Sequence, residues 1–399
     1  MMRIAYLCAD LGVPVFGCKG CSIHVQEVIR ALSKQGAEVE LFAMRVEGDP
    51  PAGLETVRLH QLTALPKGDS AAREQAALAA NREMAALLER QGPFDLVYER
   101  YSLWSFAGME YSRGRGTPGL LEVNAPLIAE QAEHRTLVDR AAAERVAERV
   151  FGAATALIAV SQEIAAYLEQ YPVRHGRVHV LANGVDPDRF PADLQPSCPG
   201  PPGVFTVGFV GTLKPWHGLP TLVEAFALLH RRAPSTRLLI VGDGPERPRL
   251  ESELCARGLR EVTHFTGAVV PREVPGLLAS MDVGVAPYPM LARFYFSPLK
   301  VYEYMAAGLP IVASRVGQLI QILQDEVNGL LCPPGDAAAV AEALARLHAE
   351  PELRRQLGQA ARASVVRDHT WEQAARRIFD LAGIRSRQAA GGQRLSLPA

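Results

Sequence analysis

Apolar runs and helix-spaced apolar positions alternate along most of the chain. Residues 3–9 form an apolar run, which predicts a strand buried on both faces of a parallel sheet. Residues 22–35 follow, with Ile23, Val28 and Leu32 at helical spacing. Further strands are predicted at residues 37–44, 57–60, 94–99, 119–123, 156–160 and 177–181. This alternation is typical of a doubly wound α/β domain.

A second alternating series begins after a segment rich in turn-forming residues. Residues 187–203, which include DLQPSCPGPPG, have the composition of a linker and predict a domain boundary. The strands predicted beyond it are residues 205–210, 237–241, 262–265, 283–286 and 310–313. We therefore expect Rossmann-like domains at residues 1–186 and 187–368. Residues 385–399 are polar and rich in Gly and Ala, which predicts a flexible tail.

The two domains are expected to face each other across a central cleft. Ligands of parallel α/β sheets bind beyond the carboxyl ends of the strands, and clefts between domains are favoured sites for small molecules. The length agrees with this picture, because the chain has 399 residues and single cores stop growing near about 250–300 residues.

Composition narrows the classes of partner and compartment. The formal net charge of −1 argues against nucleic acid, which requires a basic surface. The amino terminus lacks the long apolar core of a signal peptide, and no window approaches the ~18 apolar residues of a membrane span. The six cysteines are mostly scattered, so we expect a reduced, cytoplasmic protein.

The loop after the first predicted strand could hold a phosphate. Gly17 and Gly20 permit close approach of the backbone, and the following helix presents free N–H groups to an anion. The loop lacks the G-x-G-x-x-G pattern, so NAD is not predicted; an ordinary turn is the alternative. Cys18 and Cys21 match a C-x-x-C redox motif, but a thioredoxin-like domain is much shorter than this tandem array. A zinc site would need further ligands at similar spacing.

The second domain has a similar loop after its first strand. Residues 211–218 contain glycines at both ends, with Lys214 and His217 between them. The next strand ends at Gly242, in the sequence VGDGP. A histidine with a purely structural role is the alternative for His217, but a lysine and glycines flank it here.

The segment YFSPLKVYEYMAAGLPIVAS places a cation at the start of a predicted helix. Ser297 is predicted as the N-cap and Pro298 as the first helical residue. Lys300 follows in the first turn, where the helix dipole is positive and an acid would be more stable by about 0.3–1 kcal/mol. An anion such as a diphosphate, bound by Lys300 and by the N–H groups of residues 299–300, would explain this placement. A lysine that extends into solvent is the alternative.

Glu303 lies three residues after Lys300, so the two side chains share one helix face. Two carboxylate oxygens beside a phosphate-binding helix end suit the two hydroxyls of a ribose. The alternative is a surface ion pair of about 0.3 kcal/mol.

Together with these residues, several motifs in order identify a family. They include GCKGCSIHVQEVIRALSKQGAEVELFA, VSQEIAAYL, LANGVDPDRF, VGFVGTLKPWHGLPTLVEAF, LLIVGDGPERPRL and SPLKVYEYMAAGLPIVAS. Over roughly residues 3–380, the chain resembles the retaining nucleotide-sugar glycosyltransferases of the GT-B fold, in family 4.

The resemblance implies a function and a mode of binding. The second domain would bind a nucleoside-diphosphate sugar, and the first would bind a glycan, lipid-linked or small-molecule acceptor. Transfer would retain the anomeric configuration and would require no metal or other cofactor. The last helix, about residues 369–384, would pack back onto the first domain. Polysaccharide or glycolipid assembly is the expected context.

The family's charged motifs are altered in this chain. Glu303 matches the second acid of the E-x7-E motif, the ribose ligand, while Tyr295 stands at the position of the first acid. The Arg and Lys of the phosphate-binding G-R-L-x-x-x-K-G pattern fall at Thr212 and His217. The resemblance therefore implies that Lys300 and Lys214 substitute for the missing charge, which makes Lys300, Lys214 and Glu303 the candidate catalytic residues.

Other positions follow from the same resemblance. Gly20 matches the glycine that approaches the donor diphosphate, and Val269 and Val270 lie in the loop that contacts the base. Asn124 stands where many members carry a histidine near the reacting sugar, with Glu122 nearby on the acceptor side. The remaining donor-binding candidates are Gly211, Thr212, His217, Gly242, Ser297, Pro298 and Leu299.

Other functions on the same fold stay open at this point. An epimerase would need acid and base residues that have no family position here, and a phosphorylase would carry a pyridoxal-phosphate lysine in a longer chain. The altered motifs also allow a non-catalytic protein that binds a sugar nucleotide. Residues 132–150 could form an amphipathic helix that contacts a lipid-linked acceptor or the inner membrane face, or one with a solvated face.

Overall fold

The computed structural model describes residues 1–66, 68–172 and 176–384. The tail predicted at residues 385–399 lies outside this part of the chain. Within the described residues the strands form one seven-stranded and one six-stranded sheet, and all their pairings are parallel. The predicted fold class, two doubly wound Rossmann-like sheets, is confirmed.

The seven-stranded sheet belongs to the first half of the chain, in the order β3-β2-β1-β4-β5-β6-β7. Its strands are β1 (Met2–Cys8), β2 (Ala37–Ala43), β3 (Arg58–Gln61), β4 (Leu96–Arg100), β5 (Gly119–Val123), β6 (Ala156–Ala159) and β7 (Val178–Val180). The helices of this half are α1 (Gly20–Lys34), α2 (Ser70–Gln91), α3 (Ala107–Arg115), α4 (Leu127–His134), α5 (Arg140–Ala153) and α6 (Gln162–Leu168).

The six-stranded sheet has the order β10-β9-β8-β11-β12-β13. Its strands are β8 (Phe205–Val210), β9 (Thr236–Val241), β10 (Thr263–Gly267), β11 (Val283–Ala286), β12 (Ile311–Ser314) and β13 (Leu330–Cys332). The helices that follow β8 are α7 (Leu219–Arg232), α8 (Arg247–Ala256), α9 (Val274–Leu278), α10 (Leu299–Ala306), α11 (Leu319–Ile322), α12 (Ala337–Ala349), α13 (Pro351–Asp368) and α14 (Trp371–Leu381).

Each sheet is buried on both faces, as its apolar strands predict. Along β1, Ala5 and Leu7 pack into the core on one face of the sheet, while Ile4 and Tyr6 pack into the core on the other. Both sheets reverse their strand order, the first between β1 and β4 and the second between β8 and β11. Such switch points open a crevice at the carboxyl ends of the strands, where ligands of this architecture bind.

The structure differs from the predicted elements in three places. Helix α1 begins at Gly20 because its N-cap is Lys19, so the glycine loop is shorter than expected. Strand β13 was not predicted, since three residues carry too little periodicity. The helix predicted at residues 132–150 is wrong: α4 ends at His134, and Asp139 caps the start of a separate helix, α5.

The last described helix, α14, returns to the first sheet. A β-bridge joins Val185 to Thr370, where the connection between the sheets meets the start of α14. Helix α14 packs on α1 and adds Trp371 and Phe379 to the core on one face of the first sheet. This crossing ties the two halves together next to the cleft.

Candidate functional site

Helix α10 begins at the cleft, but its cap differs from the prediction. The N-cap is Pro298, and no side chain caps the first turn. Ser297, the predicted cap, instead accepts a 3.1 Å hydrogen bond from the Asn183 N–H through its hydroxyl. Its carbonyl accepts a second bond, of 2.7 Å, from the Asn183 side chain. The prediction of a Ser297 cap is therefore wrong, and no side chain satisfies the N–H groups of Leu299 and Lys300 in the first turn of α10.

The Lys300 side chain lies inside the protein rather than in solvent. The residue is 8% exposed, and its Nζ has no hydrogen-bond partner among the described residues. Nζ lies 4.0 Å from the ring centroid of Phe209 and 5.5 Å from that of Tyr288. Aromatic faces attract a cation but do not satisfy its N–H groups.

Burial lowers the pKa of Lys300 to about 7, and the nearby Glu303 carboxylate opposes this effect only in part. Burying a charged or polar group without a hydrogen-bond partner is costly. An anion bound at the start of α10 would supply the missing acceptor. Lys300 thus has the properties expected of a ligand for a diphosphate.

The glycine loops after β8 and β9 lie against Lys300 and against each other. A Cβ built on Gly211 would lie 3.0 Å from the Lys300 Nζ. Gly242 has φ +132°, and a Cβ there would lie 2.2 Å from the Gly211 carbonyl oxygen. Only glycine fits this contact, and the structure brings three predicted donor-binding residues together.

His217 lies beside Lys300 but does not add positive charge. Its Nδ1 lies 2.6 Å from the Thr212 carbonyl oxygen, which fits a protonated Nδ1. Burial, together with the charges of Lys300 and Lys214, lowers the pKa of His217 to about 3. The ring is therefore neutral near pH 7, and the role of His217 in donor binding stays a prediction. Lys214 is half-buried, 5.6 Å above the Trp216 ring.

Glu303 lies one turn below Lys300, and its side chain is 15% exposed. Its Oε1 accepts a 3.4 Å hydrogen bond from the Arg189 guanidinium. Burial raises the pKa of Glu303, while Arg189 acts in the opposite direction. Val270 is exposed in the loop after β10. Glu303 and Val270 stay predictions for the ribose and base contacts.

The first domain contributes its own glycine loop to the same place. A Cβ built on Gly20 would lie 4.0 Å from the Leu299 Cδ1, so the starts of α1 and α10 face each other. The N-cap of α1, Lys19, makes no side-chain capping bond either. Two uncapped helix ends from different domains therefore meet beside Lys300, which favours an anion at this point.

Tyr295, at the position of the family's first acid, forms contacts between the domains. Its hydroxyl donates a 3.3 Å hydrogen bond to the Glu130 carboxylate on α4. Its carbonyl accepts a 3.1 Å bond from the Ser161 hydroxyl. The loss of the acid thus coincides with a contact that holds residues 295–297 against the first domain.

The predicted acceptor-side residues differ in their surroundings. Glu122 is buried, with its Oε1 2.7 Å from the His24 Nε2 and its Oε2 accepting from the Tyr98 hydroxyl. Burial opposes its ionisation, but His24 and Arg100 outweigh this effect and hold the pKa of Glu122 well below its usual range. Glu122 is ion-paired and hydrogen-bonded beneath α1, and its contact with an acceptor stays a prediction. Asn124 is half-buried with an unpartnered Oδ1 and remains a candidate.

A cavity of about 400 Å³ lies at the carboxyl ends of β1 and β4 in the first domain. Its apolar lining includes Met44, Met84 and Trp104, and its polar lining includes Asp10 and Arg135. Glu122 and Asn124 do not line it. The cavity lies at the switch point of the first sheet, where ligands of parallel α/β sheets bind.

Comparison with known families identifies the chain. The model described as "Glycosyltransferase Family 4" matches residues 19–189, and the model described as "Glycosyl transferases group 1" matches residues 204–350. The chain belongs to glycosyltransferase family 4. The predicted family, the GT-B fold and the transferase activity are thereby confirmed for this family 4 glycosyltransferase.

Individual relatives resemble this family 4 glycosyltransferase along most of its length. The D-inositol 3-phosphate glycosyltransferase of Arthrobacter sp. is 29% identical over 86% of this chain and 85% of the relative. Sucrose-phosphate synthase from Thermosynechococcus elongatus has a TM-score of 0.72, 23% identity and coverage of 96% of this chain and 98% of that one. Anabaena HepE in complex with UDP has a TM-score of 0.73 and 19% identity over 96% of this chain and 100% of its own.

Sequence reasoning missed several features of the family 4 glycosyltransferase's cleft. Arg189 lies within the recognised motif LANGVDPDRF, but no spacing relates it to Glu303. The cavity combines residues from several strand ends, which only the topology brings together. Within the described ranges, no helix is long and apolar enough to span a bilayer, and no group of three or more His, Cys, Asp or Glu side chains is arranged to hold a metal ion.

Proposed function

We propose that this glycosyltransferase transfers a sugar from a UDP-sugar to a hydroxyl of an acceptor, with retention of the anomeric configuration. The observation that carries the proposal is the buried, unpartnered Lys300 ammonium at the uncapped start of α10. Gly20 of the first domain faces the same point. UDP is the first nucleotide to test, because a protein of the same fold, Anabaena HepE, was solved with UDP.

Stabilisation of the leaving diphosphate is the main contribution of the protein to the rate. Negative charge grows on the diphosphate as the sugar departs, and fixed positive groups in a partly dry site stabilise it strongly. Lys300, Lys214 and the N–H groups of α10 are the groups that we assign to this role. We propose that these groups balance the charge without a bound metal ion.

The transfer step is proposed to occur on one face of the sugar. The bond between the anomeric carbon and the diphosphate oxygen breaks, and the acceptor oxygen bonds to the same face of that carbon. The acceptor proton passes to the departing diphosphate, so all atoms and charges balance. This route needs no carboxylate nucleophile.

The acceptor is proposed to bind in the cavity at the β1 and β4 strand ends. Asp10 borders it beside the loop that leads to Gly20, and Arg73 and Arg135 line it without an ion pair to any described residue. Hydroxyls of an acceptor suit Asp10, and an anionic substituent suits the two arginines. The Arthrobacter relative, whose name gives inositol 3-phosphate as its substrate, makes phosphorylated polyols the first acceptors to test.

A donor screen tests the proposed function. Because a ligand that binds the folded state raises its apparent stability, UDP-sugars should raise the melting temperature of the wild-type protein more than GDP-, ADP- and TDP-sugars do. Lys300→Met should lose most of this rise. Absence of stabilisation by every donor, together with no nucleotide release, would contradict the proposed transfer.

The stereochemistry is tested on the product of the best donor. NMR should show the anomeric configuration of the donor in the product. A glycosyl-enzyme adduct in intact-protein mass spectrometry would contradict the same-face route, and an inverted product would contradict retention.

A further inference from the structure

Arg189 occupies a central position in the connection between the domains. It ends the short 3-10 helix Pro187–Arg189, in the connection that leads to β8 at Phe205. Its side chain is only 21% exposed, because groups from three parts of the molecule surround it. An arginine held in this way is positioned much more firmly than an ordinary surface arginine.

Two of these groups belong to the proposed nucleoside site. The Arg189 Nη1 donates to the Glu303 Oε1 at 3.4 Å. The Nη2 donates to the Pro271 carbonyl oxygen at 3.0 Å, in the loop that follows Val270. A single guanidinium therefore holds both the predicted ribose ligand and the loop predicted to contact the base.

The third group belongs to the first domain. The Glu27 carboxylate on α1 lies 3.9 Å from the Arg189 Nη1, and its other partner is Arg30, at 2.7 Å. Glu27 is buried, with a 5% exposed side chain. Arg189 thus lies between two carboxylates, one from each domain.

The charges explain why an arginine is needed at this point. Burial raises the pKa of both Glu27 and Glu303, and each of these pKa values is lowered by Arg189. The charged groups that act on Glu303 are Arg189, Glu27 and Lys300. Without Arg189, the Glu27 and Glu303 carboxylates would face each other with less compensation, and like charges in a buried setting disfavour ionisation.

We propose that Arg189 is a positioning residue for the donor nucleoside, which keeps Glu303 oriented to accept the ribose hydroxyls and fixes the base loop. Because Arg189 also pairs with Glu27 of the first domain, Arg189 has both of its carboxylate partners only when the two domains are in contact. The inference rests on the proposed function, because it assumes that a nucleoside diphosphate occupies the site.

A second ion pair between α1 and the connection between the domains provides a matched control. Lys34 of α1 lies 2.8 Å from Asp186, and its side chain is 53% exposed. It also joins α1 to the connection between the domains, but it contacts neither Glu303 nor the base loop. Lys34→Gln therefore removes a charge from the contact between α1 and the connection between the domains, and it changes no residue of the proposed nucleoside site.

Calorimetric titration of the full chain with UDP and with 2′-deoxy-UDP tests the inference. Arg189→Gln should weaken UDP binding by about tenfold, a loss of about 1.4 kcal/mol, and should reduce the preference for UDP over 2′-deoxy-UDP. Arg189→Lys should recover part of both. Lys34→Gln should bind both nucleotides as the wild type does.

The pH dependence adds a readout that a purely structural role would not change. Removal of Arg189 raises the pKa of Glu303, so the loss of UDP affinity in Arg189→Gln should grow as the pH falls below neutral. The titration of Lys300 has the opposite effect on UDP affinity, since Lys300 loses its charge, and affinity therefore falls, as the pH rises. Adding Glu303→Gln to Arg189→Gln should abolish the extra loss at acid pH.

The outcomes separate this inference from the function on which it rests. A folded wild type that binds neither UDP nor GDP overturns the proposed function and the inference with it. A wild type that binds UDP, with Arg189→Gln matching Lys34→Gln in affinity and in ribose preference, overturns the inference alone. If Arg189→Gln fails to fold, the comparison of Arg189→Lys with the wild type decides.

Discussion

At the scale of single residues, the buried position of Lys300 lowers the stability of the ligand-free protein and prepares the side chain to bind an anion. The ammonium lies against Phe209 and Tyr288 with no hydrogen-bond acceptor, so the ligand-free protein carries the cost of its burial. Burial lowers the pKa of Lys300 to about 7, whereas a bound diphosphate would favour the charged form and raise this pKa. Binding of the nucleotide and protonation of Lys300 are therefore coupled.

This coupling predicts the pH dependence of nucleotide binding. UDP affinity should fall as the pH rises from about 7 to about 9, because binding must then include uptake of a proton by Lys300. In Lys300→Arg the decline should disappear, since a guanidinium stays charged throughout this range. In Lys300→Met, binding at pH 7 or below should be at least about tenfold weaker than in the wild type, a loss of about 1.4 kcal/mol, and this difference should shrink as the pH rises to about 9.

Calorimetry in buffers with different heats of ionisation measures the proton uptake directly. The wild type should take up protons on binding UDP near pH 8, and neither variant should. A UDP affinity that is independent of pH in the wild type would show that Lys300 does not contact the diphosphate.

The sequence predicted Lys300 and Glu303 because their relation is local. Both lie in one short helix, where spacing alone fixes the shared face. The burial of Glu122 under His24 could not be predicted in this way, since it depends on how α1 packs over the ends of β4 and β5. The neutral state of His217 also depends on tertiary burial.

At the scale of elements, the loops after β8 and β9 form one surface. Gly242 touches the carbonyl of Gly211, and Gly211 in turn lies against Lys300. The Leu213 N–H donates to the Asp243 carbonyl at 2.9 Å, so the backbones of the two loops are also hydrogen-bonded. A displacement of one loop must therefore move the other.

Gly242→Ala should disrupt the donor site through this contact. The new Cβ would meet the Gly211 carbonyl, and the backbone at φ +132° is unfavourable for alanine. We expect a lower melting temperature and UDP binding weakened by about tenfold or more, an effect of about 1.4 kcal/mol. Fluorescence or calorimetric titration with UDP measures this effect.

Gly258→Ala is the control for backbone strain. Gly258 also has a positive φ, of +69°, but a Cβ there meets no atom within 4 Å. It should lower the melting temperature and leave the UDP affinity intact. Equal losses of UDP affinity in the two variants would mean that the loop contact at Gly242 has no role in the donor site.

Prediction of elements succeeded where periodicity was long. The strand series and the main helices followed from apolar runs and spacing, whereas β13, with its three residues, left no such pattern. The break between α4 and α5 is set by the Asp139 side chain, which accepts from the Ala142 N–H. That capping signal outweighed the amphipathic spacing on either side of it.

At the scale of the whole molecule, the two domains are held together by contacts around the cleft. Tyr295 reaches Glu130 of α4, and the Gln318 side chain donates a 2.7 Å hydrogen bond to the Val160 carbonyl. None of these pairs could be predicted from the sequence, because each joins residues more than a hundred positions apart. They depend on the relative orientation of domains that fold around separate cores.

The Tyr295–Glu130 bond predicts a specific effect on domain closure. Loss of one hydrogen bond of this kind changes a free energy by about 1 kcal/mol. Tyr295→Phe should therefore shift the equilibrium towards open forms and lower kcat/KM for the acceptor by about fivefold, an effect of about 1 kcal/mol. UDP affinity should change little, because the donor is proposed to bind mainly to the second domain. Small-angle scattering with UDP should show a larger radius of gyration than in the wild type.

A double-mutant cycle decides whether this effect comes from the bond between the domains. Glu130→Ala should reproduce the loss of kcat/KM, and the double variant should lose no more than either single variant, since both remove the same contact. Tyr171→Phe is the matched control, because its hydroxyl bonds to Glu144 within the first domain. Additive losses in the double variant, or an equal loss in Tyr171→Phe, would show that Tyr295 acts through local packing and that closure is held by other contacts, such as Gln318–Val160.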